Sequence, residues 1–190
     1  TSPDIMSVVV DRLGLEASYV EKQFLRSREL FTSSPIALVQ TGDNHASAYS
    51  FELTKTGDST FVIKNLRVAG EKMKYKGKIK GSFREELQTP VGKIKIVPTM
   101  HIDKWHDPIV VSWVNAKRLA KAYCKKLNVS LSGKESTVLV LSLEDTFPRR
   151  AEDILNTLID VYNEQWVANK NRSARNTTAF INDRLVVIEN

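Results

Sequence analysis

After Pro148 the chain runs to Asn190 without a glycine or a proline, and no other feature limits its fold so strongly. Apolar residues recur there at Ala151, Leu155, Leu158, Tyr162 and Trp166, then at Ile181, Leu185 and Ile188, the rhythm of one helix face. Pro148 stands where a first-turn proline belongs, and Glu152 and Asp153 lie near the positive end of the helix dipole. A continuous helix over 148–190 would be about 64 Å long at the usual rise. A compact body formed by the rest of the chain has a radius of gyration of only about 15 Å. The pattern therefore predicts a helix that protrudes. Its weak point is Asn169 to Thr178, "NKNRSARNTT", polar and poor in helix formers. The chain has no initiating Met or signal-peptide pattern and stops on Leu185-Val186-Val187-Ile188 without a cap, so it reads as an excised fragment cut in mid-helix.

Ahead of that helix the periodicity changes twice. At the N-terminus, Ser2 can cap, Pro3 fits the first helical position, and Ile5, Met6, Val9, Val10 and Leu13 share a face before Gly14. Ser18 to Glu21, "SYVE", has the form of a capping box and predicts a second short helix through Phe24, Leu25 and Arg28. From about Pro35 to Thr99 the period is two. Tyr49, Phe51 and Leu53 alternate, as do Met73, Tyr75 and Ile79, then Ile94 and Ile96, and "TFVIKNL" adds a fourth strand, which together predict an antiparallel meander. "IVVSWV", the helix "NAKRLAKAYCKKL" and two strands around Ser132-Gly133 provide a strand, a helix and a further strand, enough for a parallel crossover. The class expected is α+β: a mixed sheet with flanking helices, a β-rich antiparallel insertion and a long protruding C-terminal helix. The expected domains are an α/β base from residues 1–41 and 100–147, the insertion at 42–99, and the helix at 148–190.

Charge is concentrated in the insertion. Residues 64–95 carry ten Lys or Arg against Glu71, Glu85 and Glu86, a balance of +7, while the whole chain sums to +6. The remainder is therefore close to neutral, and the high isoelectric point alone does not mark a nucleic-acid binder. In "EKMKYKGKIKG" a lysine stands at every second position from Lys72 to Lys80. Such side chains lie about 6.8 Å apart along a strand, inside the roughly 8 to 10 Å screening length, and repel one another. The strands expected nearby add Lys64, Lys93 and Lys95, with only Glu52 as an available acid. The candidate polyanion surface is thus Lys64, Lys72, Lys74, Lys76, Lys78, Lys80, Lys93 and Lys95; the plainer reading is an edge whose lysines prevent aggregation. Tyr75 falls on the other side with Met73 and Ile79, which argues against base stacking and leaves acidic glycan or lipid headgroups.

Catalytic signatures are absent. There is no nucleophile elbow, P-loop, dinucleotide fingerprint or paired-His zinc helix. Glu144, Asp145, Glu152 and Asp153 cluster at a helix start, where capping and the dipole account for them. His101, Asp103, His106 and Asp107 in "HIDKWHDP" are metal-ligand types without metal-ligand spacing, and His45 is distant in sequence. The single cysteine, Cys124, lies beside the stripe Ala116, Ala120, Tyr123 and Leu127, a half-buried helix thiol. No catalytic, cofactor-binding or metal residue is expected, and no cofactor. The longest apolar runs, Val138 to Leu141 and Leu185 to Ile188, are four residues, against roughly 20 for a membrane span.

The order of these elements, with several short signatures, resembles a known family. In the C-terminal half these are the amphipathic helix ending "LNV", the strand "STVLVLSL", Asp145 and Pro148, then Ala151, a Tyr-containing helix and "FINDRL" from Phe180 to Leu185. "VVVDRLGL" at Val8 to Leu15 and "TFVI", "GKIKG" and "TPVGKIKIV" in the middle agree. Together they are similar to the periplasmic region of Wzc-type bacterial tyrosine autokinases, within the Wzz-like chain-length determinants or polysaccharide co-polymerases. The resemblance implies a fragment between two inner-membrane helices on the periplasmic face of the bacterial inner membrane. It implies a ring-like homo-oligomer in the intact protein, with polymerase or exporter components and the growing glycan as partners and no nucleic acid. It also implies an ATP-dependent tyrosine kinase domain in the cytoplasm, none of whose motifs occurs here, so the fragment itself is not expected to be an enzyme. The function expected is scaffolding of assembly in capsular or exopolysaccharide chain-length control and export. The alternatives are a polyanion-binding module, for acidic glycan or lipid headgroups, and a structural adaptor to an exporter.

Overall fold

A computed structural model of the chain describes residues 2–22, 27–42, 46–70, 74–75, 77–106, 108–133 and 137–188, without the side chains of residues 74, 179 and 182–188. The α+β class is the one the sequence predicts. Contacts divide the chain into two units: residues 14–122 form one, and residues 1–13 with 123–190 form the other.

In the unit of residues 14–122, β1 (Ala17–Lys22), β2 (Ser27–Glu29), β4 (Ala48–Lys55), β5 (Thr60–Val68), β6 (Lys74–Tyr75), β7 (Ile79–Ser82) and β10 (Ile109–Val114) make a larger sheet. Its order is β2-β1-β10-β4-β5-β6, with β7 also paired to β5. A smaller sheet has the order β3-β9-β8, from β3 (Ile36–Gln40), β8 (Glu86–Thr89) and β9 (Gly92–Pro98). The pleat turns alternate residues inward. Tyr49, Phe51 and Leu53 of β4, Phe61 and Ile63 of β5 and Ile109, Val111 and Trp113 of β10 join Ile36, Ile94 and Ile96 of the smaller sheet in one buried cluster. Tyr49 stacks on Trp113 with ring centroids 5.3 Å apart, directly across the β4–β10 pair.

Three expectations for this region need correction. The "SYVE" segment is strand β1 and not a helix: Tyr19 is buried, its hydroxyl accepts the Leu38 amide at 2.8 Å, and β10 pairs with Ala17 through Glu21. Burial of Tyr19 and the ladder outweigh a local capping pattern. Phe24 and Leu25 lie outside the described residues, and Arg28 is in β2. The meander is not one sheet, because β9 pairs with β3 and β8, which brings Ile94 and Ile96 into the core from the side opposite β4 and β5. The crossover does not form. Every pairing among the described residues is antiparallel, so the parallel pair of a mixed sheet is absent among them: β10 lies between β1 and β4, and β11 (Leu127–Leu131) pairs with β12 (Leu139–Leu143). The larger sheet also joins strands from both sides of residue 99, since β10 is paired to β4.

Between the sheets and the hairpin in sequence, α2 (Ala116–Lys126) begins behind Asn115, whose Oδ1 accepts the Lys117 amide at 3.0 Å. Cys124 on this helix is half-buried, as its position beside the apolar stripe predicts. In the other unit, α1 (Pro3–Leu13) starts as expected, with Ser2 Oγ accepting the Asp4 amide, and Gly14 follows it at a φ of 61° that suits a residue without Cβ. α3 (Pro148–Ile188) is one helix of 41 residues and runs unbroken through Asn169 to Thr178. Thr177 and Thr178 return their hydroxyls to the carbonyls of Ser173 and Ala174. α1 and α3 pack together, and Met6, Val9 and Val10 of the first and Ala151, Ile154, Leu158 and Val161 of the second are buried.

Candidate functional surfaces

The pleat that sends Phe61 and Ile63 inward sends Lys64 to the outer face of the larger sheet. A β-bulge then changes the parity. Ser50 pairs with Arg67 and Glu52 with Lys64, so β5 has an extra residue here, and Asn65 takes a φ of 56°. Leu66 thereby turns into the core and Arg67 turns outward, onto the same face as Lys64. Lys80 stands across from Val62 and Lys74 across from Arg67, so both hold outer-face positions. Lys78 is exposed just ahead of β7. Lys72 and Lys76 lie outside the described residues.

Lys93 and Lys95 do not belong to this face. They alternate with Ile94 and Ile96 on β9, whose inward side meets the common core from the smaller sheet. Their side chains leave the core on the opposite side from Lys64 and Lys80. They also have an acid that the sequence reading missed: Glu86 is across from Lys95, and its Oε2 is 3.7 Å from Lys93 Nζ. The eight lysines therefore form no single surface.

Around Glu52 the outer face is organised. Lys22 Nζ donates to Glu52 Oε2 at 2.9 Å and Asn65 Nδ2 donates to the same oxygen at 3.3 Å. The Lys22 hydrogen bond, working against partial burial and assisted by the charges of Lys22 and Lys64, holds the Glu52 carboxyl below its ordinary range. Lys22 and Arg67 are the two members of this face that sequence reasoning missed. The capping pattern at Ser18 to Glu21 predicts a helix through Lys22, and the outward turn of Arg67 depends on a bulge whose one local signal is an Asn inside a strand pattern.

The second unit presents a different surface. The hairpin register places Leu127 across from Leu143, Val129 from Leu141 and Leu131 from Leu139, a continuous aliphatic face. Val129, Leu139 and Leu141 line a cleft of ≈ 380 Å³ with Ser2, Ile5, Leu158, Ile159 and Tyr162, nearly all of it apolar. Beyond the cleft, α3 is exposed from Tyr162 to Thr178, with Trp166 and Val167 open to solvent at 53% and 50%.

At the head of α3, Asp145 accepts the Phe147 amide at 2.8 Å, and Arg150 donates through Nε and Nη2 to the same carboxylate. Burial alone would raise this carboxyl. The Arg150 hydrogen bonds, the Phe147 amide and the charges of Arg150 and Lys126 more than offset it and hold Asp145 below its ordinary range. The helix-start role expected for this carboxylate thus has its geometry. His101 is half-buried and His106 exposed, while His45 and Asp107 lie outside the described residues. Among the described residues no three His, Cys, Asp or Glu side chains gather as a metal site, and no helix is long and apolar enough to cross a membrane. No protein-family model matches the chain, and no curated protein matches it.

Proposed function

We propose that this chain is a non-catalytic periplasmic domain of an inner-membrane polysaccharide co-polymerase that scaffolds assembly in capsular or exopolysaccharide chain-length control and export. The observation that carries this reading is α3: its first four turns are packed against α1, while the turns from Tyr162 onward keep Tyr162, Trp166 and Val167 exposed. A helix whose apolar residues continue past its own core is suited to assembly with further helices. The α+β class supports the reading as well. In it the chain works as a homo-oligomer beside polymerase or exporter components and the growing glycan, on the periplasmic face of the inner membrane. Its role is to hold subunits in register, and any tyrosine kinase activity of the intact protein resides in a cytoplasmic domain. The test is to delete residues 1–190 in frame from the intact gene and measure polymer length and amount. A shifted length distribution or lost export is expected; wild-type polymer from the deleted strain overturns the proposal.

A further inference from the structure

We infer that the outer face of the larger sheet binds an extended acidic polysaccharide along a strip formed by Lys80, Lys64, Arg67 and the position of Lys74. The strip itself follows from register and burial. The choice of a glycan as its ligand rests also on the function proposed above.

Lys80 is diagonal to Lys64 across the β5–β7 pair, a separation of roughly 7 to 8 Å, and Lys74 is directly across from Arg67, about 5 Å away. The bulge at Asn65 puts Lys64 and Arg67 on one face despite their odd spacing. Four positive positions thus follow one another along β5 at intervals shorter than the roughly 8 to 10 Å screening length. The acids that face them are few. Glu52 is hydrogen-bonded by Lys22 and Asn65 and faces Lys64 from β4, and Glu29 holds a register position on β2, four strands from β5, or about 19 Å at 4.8 Å per strand. Among the described residues, Lys64, Arg67 and Lys80 form no ion pair within 4 Å. Glu86 is paired with or across from Lys93 and Lys95 on the other sheet, whereas on this face Glu52 is ion-paired to Lys22 and only faces Lys64, and Arg67 and Lys80 have no acid across from them.

The partner's chemistry follows from what surrounds the charge. A linear row of charges fits a linear polyanion better than a single phosphate. Three of the four positions are lysine, a point charge that suits carboxylates without the bidentate geometry of arginine on phosphate. The outer-face positions of β10, β4, β5 and β7 include no aromatic residue on which a base can stack, since Tyr75 is across from Leu66 on the inward side. Nor does this face expose a large apolar side chain to anchor in a bilayer: Val62 is buried, and Val110 and Val114 are half-buried.

The 190-residue chain should bind polygalacturonate at about 20 mM sodium chloride and lose most of that binding at about 300 mM. R67E/K80E and K93E/K95E change net charge equally but on opposite sides of the core. The first should weaken binding about tenfold or more, and the second less than about twofold, with both variants checked for unchanged circular dichroism. If R67E/K80E does not fold, R67Q/K80Q takes its place with a smaller loss in the same direction. Equal weakening by the two pairs, no binding at low salt, or tighter binding to polyuridylate RNA or to phosphatidylglycerol vesicles overturns the inference. Failure here with altered polymer length in the deletion strain removes only this face. Binding here with normal polymer in that strain removes only the scaffold.

Discussion

At Gly81 the larger sheet has no room for a side chain. A Cβ there would stand 2.8 Å from Phe61 Cζ and 3.1 Å from Leu87 Cδ2, and Phe61 is 1% exposed with Phe83 against its ring at 5.2 Å. Gly81→Val should therefore cost about 1 to 3 kcal/mol through overpacking, read as a lower urea midpoint at unchanged slope. The Asp145–Arg150 pair gives a prediction with a pH sign. Because the folded Asp145 carboxyl is held below its ordinary value, its stabilisation is fully present above about pH 4 and is lost as pH falls through the folded value. Arg150→Ala leaves a carboxylate that is 3% exposed without its main partner, and should lose about 2 kcal/mol at pH 7. The gap between variant and parent should narrow toward pH 3 in urea titrations; a gap that widens there refutes the assignment.

Among the elements, α3 divides into a packed start and an exposed continuation. Leu158 is 4% exposed, and Leu158→Ala should cost about 2 to 5 kcal/mol by leaving a cavity. Trp166 is 53% exposed and touches Lys170, whose Nζ is 5.0 Å from the ring centroid, so Trp166→Ala should change stability by only about 0.5 kcal/mol. Thermal unfolding of the two variants side by side distinguishes the regions: equal shifts would mean that Trp166 is packed. The existence of this helix was legible because periodicity over 40 residues without Gly or Pro leaves few alternatives. The strand β1 was not legible, because "SYVE" satisfies a local helix rule and only the ladder to β10 overrides it.

For the whole molecule, the division into two units predicts separable folding. Residues 14–122 hold the larger sheet, the smaller sheet and every member of the main buried cluster. Produced alone, they should give a dispersed amide spectrum and a cooperative thermal transition, because every residue of that cluster comes from within the unit. A collapsed, poorly dispersed spectrum would show that the cluster is insufficient. The candidate surface was legible only in part at this scale. An excess of lysine in residues 64–95 is visible in the sequence, but the assignment of each lysine to a face depends on which sheet takes its strand.

Local periodicity by itself determined the α+β class, the start of α1 at Ser2, two strands around Ser132-Gly133 and the long helix after Pro148, since each depends on neighbours within a few residues. Only the tertiary structure decided that β9 leaves the lysine-rich strands for a second sheet, and that Lys93 and Lys95 meet Glu86 there. It alone decided that one extra residue at Asn65 turns Arg67 toward Lys64. The physical reason is the two-residue pleat: a change of partner or a single bulge reverses which side of a sheet a charge occupies, at almost no cost in local sequence pattern.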